Sequence, residues 1–157
     1  MAPLPLAYFV TFRTYGTWLH GDVRGSFQHR PGGWPSALGP MPRLERAMEE
    51  SLRSAPVRLG DDRRAVVAAA IHEVCKRRAW VLHALSVRWE HVHVVVTSGD
   101  AVPREQIMTT FKAWSTRRLV QGGCLVRGAR VWSRHGSTRH VRSLRELATV
   151  VEYVEHQ

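Results

Sequence analysis

The hydrophobic pattern of this chain switches between a period of two and a period of 3.6. The order of those switches constrains its fold more than any other feature. Residues 8–15 alternate, with Tyr8, Val10 and Phe12 on one side and Phe9, Thr11 and Arg13 on the other, as a strand does. Asp61 or Asp62 can cap a helix reaching about Arg78, whose apolar stripe is Val67, Ala70, Ile71, Val74 and Cys75. Residues 80–87 and 91–98 read as two strands joined by a tight turn near Arg88-Trp89-Glu90. Pro103 suits the first position of a helix running to about Val120 and burying Ile107, Phe111, Trp114 and Leu119, with Gly122 and Gly123 stopping it. Residues 129–133 and 138–142 predict two short strands. Ser143 and Glu146 form a capping box that opens a last helix over 144–157. The order β, α, β, β, α, β and a terminal helix predicts an α+β ferredoxin-like sandwich: an antiparallel sheet with helices on one face, plus a C-terminal helix.

A length of 157 residues, with 44% hydrophobic and 23% charged, suits one domain with a real core and excludes a disordered tail. Residues 1–157 therefore read as a single domain. Residues 16–42 hold much of its Gly and Pro together with Trp18 and Trp34, and form a loop insertion without a period. Residues 44–53 can form a short helix. Cys75 and Cys124 lie far apart and make no CxxC pair, so neither a disulfide framework nor a cysteine-rich zinc site is expected. The apolar start lacks a basic leader and is broken by Pro3 and Pro5, unlike a signal peptide. No apolar run approaches the ~20 residues needed to span a bilayer. The expectation is a soluble cytoplasmic protein.

Charge narrows the partner. The chain carries 23 basic and 13 acidic residues, a net +10, and only Lys76 and Lys112 are lysines. Residues 103–142 hold nine basic and one acidic residue, net +8, whereas residues 143–157 are net −2. In the basic stretch Trp114 and Trp132 are interleaved with Lys112, Arg117, Arg118, Arg127, Arg130, Arg134 and Arg139. Cations beside aromatic platforms suit single-stranded or unpaired nucleic acid. The plainer reading is a codon preference for arginine on a solvated surface. With no basic amphipathic anchor evident, a membrane is not the expected partner.

The sharpest local signal is Trp89-Glu90-His91-Val92-His93-Val94-Val95-Val96. On a strand, His91 and His93 project side by side while Val92, Val94 and Val96 point into the core. Two imidazoles on a rigid strand make a half-site for a divalent metal; the alternative is a pair of exposed histidines on an open sheet face. On the terminal helix Leu144, Leu147, Val151 and Val154 form one stripe, flanked by Ala148 and Val150, and Tyr153 lies away from its centre. Gln157, at i+4 from Tyr153, shares its side. Tyr153 is either a half-exposed aromatic or a nucleophile, and a phenol with pKa ~10 would need a base or an electrophile-activating metal. His72 and His83 read as structural. His20, His29, His135 and His140 lie near arginines, and Glu90 is either a support for the His pair or solvated. No phosphate-binding loop, dinucleotide glycine pattern or Ser/His/Asp arrangement stands out.

Taken together, these motifs resemble the HUH-type single-tyrosine transposases of bacterial insertion sequences and their REP-associated relatives. His91-Val92-His93 matches the family's His-hydrophobic-His strand, and Tyr153-Val154-Glu155-His156-Gln157 its Tyr-x-x-x-Gln helix. The opening strand with Gly16-Thr17-Trp18-Leu19, and residues 131–139 (VWSRHGSTR), are also similar. The resemblance covers nearly the whole chain except about residues 25–61. It implies that Tyr153 attacks a phosphodiester of single-stranded DNA to give a covalent 5′-phosphotyrosine and a free 3′-OH, a step reversed in strand transfer. It implies that His91, His93 and Gln157 hold Mg²⁺ or Mn²⁺. It further implies that the basic surface, with Lys112, Arg117, Arg118, Arg130, Arg134 and Arg139, grips DNA hairpins at element ends. Such proteins are bacterial, DNA-associated and often homodimers that exchange the tyrosine helix, although REP-associated relatives can act as monomers. Two competing readings remain: a non-catalytic hairpin-binding module of the same fold, and a zinc hydrolase, which would need a third His, Asp or Glu beside the pair.

Overall fold

A central strand organises the molecule. In the computed structural model, which describes residues 4–28 and 36–157, β1 (Ala7–Thr14) is followed by β2 (Ser26–Gln28), β3 (Ser36–Leu38), α1 (Pro42–Glu50) and α2 (Asp61–Arg78). Then come β4 (Val81–Val87), β5 (His91–Thr97), α3 (Arg104–Gln121), β6 (Trp132–Val141) and α4 (Leu144–Glu155). Four strands form one sheet in the order β4-β5-β1-β6, with antiparallel pairing throughout. This is the predicted ferredoxin-like sandwich. The insertion at 16–42 contributes β2 and β3, a small antiparallel pair of its own. Trp34 and His29 lie outside the described residues.

The strand alternation sorts side chains into two cores. Val10, Phe12, Val92, Val94 and Val96 pack under α2 and α3 together with Val67, Ile71, Val74, Ile107, Phe111 and Leu119. On the opposite face Ala7, Ala84, Val95 and Val141 pack under α4 through Val150 and Val154, with Phe9, Leu147 and Val151 completing that layer. In β4 the register slips between Leu82 and Ala84. As a result Leu82 faces the α2/α3 core and Ala84 the α4 core, two residues on. Within the slip His83 Nε2 lies 2.8 Å from Thr97 Oγ1, whereas His72 is exposed on α2.

Several local expectations are corrected. The N-cap of α2 is Gly60, in extended backbone, rather than Asp61 or Asp62. Both aspartates sit in the first turn, where negative charge complements the helix dipole, and Asp61 pairs with Arg64. Likewise Pro103 is the N-cap of α3 and not its first residue. The two short strands expected at 129–133 and 138–142 are one ten-residue strand, β6. Gly136, which lies in the gap between those two expected strands, is a close-approach residue: a Cβ would lie 2.3 Å from Met108 Sδ and 2.7 Å from the Thr11 carbonyl. Trp114 is only half-buried and donates from Nε1 to Glu73 at 3.0 Å, while Ser115 takes the buried position beside it. In α4, Leu144 is exposed and Val150 is buried, so the apolar face is Leu147, Val150, Val151 and Val154. Ser143 accepts from the Glu146 amide at 3.1 Å as a capping box requires, but the Glu146 carboxylate reaches back to the Arg142 amide at 2.9 Å.

Candidate active site

The sheet face under α4 carries the polar residues that strand alternation sets opposite the valines. Register places Thr11 beside His93, Arg13 beside His91, Ser137 across from Thr11, and Arg139 across from Phe9. The two imidazoles are 4.8 Å apart between ring centroids. His93 is buried at 7% exposure and His91 is half-buried, so they are not the freely exposed pair of the plainer reading. Burial, then the charges on His91 and Arg13, pushes His93 down to about 4. His91 is lowered as well, by burial and then by Arg13 and Arg88. Both rings are therefore neutral at neutral pH, the form that binds metal.

Thr11 holds His93 in place, its Oγ1 being 2.8 Å from Nδ1. A hydroxyl that accepts from Nδ1–H leaves the Nε2 lone pair for a cation, and the reverse polarity places the proton on Nε2. The first tautomer is the one used by metal-ligating histidines, whose second nitrogen is fixed by a hydrogen bond.

Helix α4 brings the tyrosine over this strand. The Tyr153 ring lies 5.8 Å from that of His93 and 6.1 Å from that of Phe9, edge-on to both, and Phe9 is 5.5 Å from His93. Half of Tyr153 remains exposed (50%) because Val150 and Val154, not Tyr153, form the buried ridge of the helix. Its outer side opens on a groove of about 420 Å³ lined by Thr149, Glu152, Tyr153, His156 and Gln157. Gln157 thus shares a groove with Tyr153. It is tied to the β4–β5 turn by its carbonyl, which accepts from Arg88 Nη1 at 2.9 Å. The structure thus gathers His91, His93 and Tyr153 within one chain and sets Gln157 beside the tyrosine. Among the described residues no group of three or more His, Cys, Asp or Glu is placed to hold a metal, so the third ligand that a zinc hydrolase needs is not supplied.

Residues from the insertion complete the site, and sequence reasoning missed them. Trp18 meets two guanidiniums, with Arg13 3.3 Å and Arg24 4.3 Å from its ring centroid. Arg24 donates to Asp22 at 2.6 Å and to Glu90 at 2.8 Å, and Arg58 donates to the other Glu90 oxygen at 2.5 Å. The Asp22 carboxyl is held at about 2, chiefly by the Arg24 hydrogen bond. Burial works to raise Glu90, but Arg24 and then Arg58 hold it below the usual carboxylate range. Glu90 is therefore an ion-pair hub next to the His pair. The available signal was Arg13 itself, a charge sharing a strand face with Phe9 and Thr11.

The basic residues divide into two groups. Lys112 is half-buried, and its ammonium donates to the Ser133 carbonyl at 2.9 Å and the His135 carbonyl at 3.3 Å, tying α3 to β6. Arg118 forks onto Glu73 at 2.8 and 2.5 Å, tying α3 to α2. In contrast, Arg117 lies over Trp114, Arg130 over Tyr15 and Arg139 over Phe9, at 5.3, 5.5 and 5.7 Å from the ring centroids. Arg134 is exposed on β6. Arg139 thus stands on the face that carries Tyr153.

Residues 56–157 match the family model described as "Transposase IS200 like". The chain belongs to the IS200-like transposases. The matched segment contains His91, His93, Tyr153 and Gln157, but not β1, which places Thr11 and Arg13 beside the two histidines. Among solved structures, the chain is similar to a candidate transposase from Deinococcus radiodurans R1, at 15% identity and TM-score 0.56 over 99% of this chain and 93% of that one. It is also similar to a REP-associated tyrosine transposase solved bound to a REP hairpin, at 13% identity and TM-score 0.54 over 98% of this chain and 67% of that one. At these identities the likeness establishes the shared fold. No curated protein matches the chain. Among the described residues no helix is long and apolar enough to cross a membrane.

Proposed function

We propose that this transposase cuts and rejoins single-stranded DNA hairpins at element ends, with Tyr153 as nucleophile and a covalent 5′-phosphotyrosine as intermediate. The observation that carries the reading is the 5.8 Å approach of the Tyr153 ring to His93 within one chain. The phenol oxygen attacks phosphorus and loses its proton to solvent, the P–O3′ bond breaks, and the departing 3′ oxygen takes up a proton. Strand transfer runs the same exchange in reverse with a new 3′-OH.

The donor set suits Mg²⁺ or Mn²⁺: two neutral imidazoles on one face, one of them fixed by Thr11, with the Gln157 amide as the further ligand. Such a cation, when bound, polarises the scissile phosphate as a Lewis acid and leaves positions for phosphate oxygens. The protein's own part is orientation. Phe9 and His93 fix the tyrosine ring edge-on, and the ladder of β1 against β5 fixes the histidines. Arg117, Arg130, Arg134 and Arg139 are the proposed DNA contacts, with Lys112 and Arg118 framing that surface through their bonds to β6 and α2. Because one chain holds both the tyrosine and the His pair, a homodimer would not need to exchange α4 to complete a site, and a monomer would suffice.

The test incubates labelled single-stranded hairpin DNA and Mn²⁺ or Mg²⁺ with wild type and with Tyr153→Phe. The expected result is a denaturant-resistant protein–DNA adduct in wild type alone. Hairpin binding without an adduct in either protein would make this chain a binding module, and loss of binding altogether would overturn the DNA reading.

A further inference from the structure

Arg13 places on the site face a guanidinium whose hydrogen-bonding capacity is left open among the described residues. Its Nη1 is buried and has no partner among the described residues. A buried N–H without an acceptor is unfavourable and rare enough to need an explanation. The nearby carboxylates are turned to other arginines: both oxygens of Asp22 bond Arg24, and the two oxygens of Glu90 are divided between Arg24 and Arg58. No ion pair of Arg13 is present among the described residues, and the group is held in position by Trp18, on whose face it stacks at 3.3 Å. Cross-strand pairing sets it beside His91, and its charge interacts with Tyr153. Burial, followed by the charge of Arg24, lowers Arg13 to about 10, so it stays protonated at neutral pH. The result is a cation fixed by an aromatic face and half withdrawn from water, with an unpartnered donor, beside His91 on the face that carries Tyr153.

We infer that Arg13 is a catalytic phosphate clamp, its guanidinium donating to a non-bridging oxygen of the phosphodiester that Tyr153 attacks. This inference rests on the function proposed above and deepens it. A phosphodiester carries one negative charge, and addition of the phenol oxygen brings a second onto the phosphoryl oxygens before the P–O3′ bond breaks. A guanidinium already oriented by an aromatic face meets that developing charge without reorganising. Arg13 transfers no proton and forms no bond; the phenol proton leaves to solvent as before. The competing explanation is that Arg13 only packs on Trp18. That role would alter stability but would not set the rate at which bound DNA reacts.

The test uses the full chain with Arg13→Gln, Arg13→Lys and wild type. Three quantities are measured: the single-turnover rate of adduct formation with saturating hairpin and Mn²⁺, the hairpin dissociation constant in a Tyr153→Phe background, and the Arg13 Nε–H nuclear magnetic resonance signal as inorganic phosphate is added. Loss of one preorganised donor lowers such rates by roughly 10²-fold, so Arg13→Gln should slow adduct formation by about that factor while hairpin affinity changes by less than about threefold. Arg13→Lys should also be slow, because an ammonium lacks the stacked planar fork. A folded variant that reacts within about threefold of wild type would overturn the inference. Should Arg13→Gln fail to fold, Arg13→Lys decides it by the same criterion. If wild type itself forms no adduct, the function reading fails, and the phosphate titration then decides this inference separately: a saturable shift of the Arg13 signal upholds an anion site, and an unmoved signal removes it.

Discussion

Tyr153 and Thr11 differ in what their side chains do for the fold, and the difference is testable. Tyr153 is half exposed and stands beside the buried ridge of α4, so Tyr153→Phe should change stability by no more than about 0.5 kcal/mol. Thermal unfolding checks this, and it makes that variant a fair control for adduct formation. Thr11→Val removes the contact to His93 Nδ1. It should weaken Mn²⁺ binding by about 10- to 100-fold, as loss of such a supporting partner does; calorimetric titration reads this, and Thr11→Ser should restore affinity. His93 also sets a pH dependence in the metal-free protein. Its folded-state value of about 4 lies below the ordinary 6.5, so between those values the unfolded chain binds more protons than the folded one. Stability should therefore be unaffected by this group above pH 6.5 and decline as pH falls from 6.5 towards 4, by up to about 3 kcal/mol. Denaturant midpoints across that range should flatten in His93→Gln; an equal slope in the variant would place the effect elsewhere. The His pair and the tyrosine were legible in the sequence because period-two alternation and i+4 spacing report faces directly. Arg13 and Trp18 were not, because their meeting depends on how an aperiodic insertion returns to the end of β1.

Among the elements, α2 and α3 were readable nearly to the residue, since apolar spacing and terminal Gly or Pro mark a helix locally. The centre of β6 was not. Gly136 and Ser137 fall in the gap left between the two expected strands, and only packing of α3 across the sheet explains why glycine sits inside a strand. Gly136→Ala should cost about 1–3 kcal/mol by driving a methyl into Met108 Sδ and the Thr11 carbonyl. Because Thr11 also holds His93, that variant should lower Mn²⁺ affinity as well, a readout that a remote overpacking would leave unmoved. The end of α2 runs the other way. Ala79 adopts φ +53 and closes a Schellman motif, with Trp80 N–H bonded to the Cys75 carbonyl at 2.9 Å and Ala79 N–H to the Lys76 carbonyl at 3.4 Å. A non-glycine residue in that region costs about 1 kcal/mol, so Ala79→Gly should raise stability by roughly that amount, less the added chain entropy of glycine. A lower melting temperature in Ala79→Gly would mean that the entropy term dominates.

At the scale of the whole molecule, a net charge of +10 overstates the charge free to meet a polyanion. Lys112 and Arg118 are hydrogen-bonded inside the fold, and Arg24 and Arg58 are paired with Asp22 and Glu90. The basic stretch at 103–142 was visible as composition, but its division into framing and outward cations was not, because that depends on which acidic groups and carbonyls the folded chain brings within reach. The division has a measurable consequence for the proposed hairpin binding. Each single-strand phosphate contact contributes about −0.7 to the slope of log affinity against log salt. Replacing Arg134 and Arg139 with Gln should therefore make the slope shallower by about 1.4 if each meets one phosphate, with little change in unfolding. Replacing Arg118 with Gln should do the opposite, leaving the slope unchanged while loosening α3 from α2 by removing the Glu73 fork. A shallower slope in Arg118→Gln would show that the polyanion approaches over the α2/α3 layer, and an unchanged one in the double variant would show that it meets neither Arg134 nor Arg139.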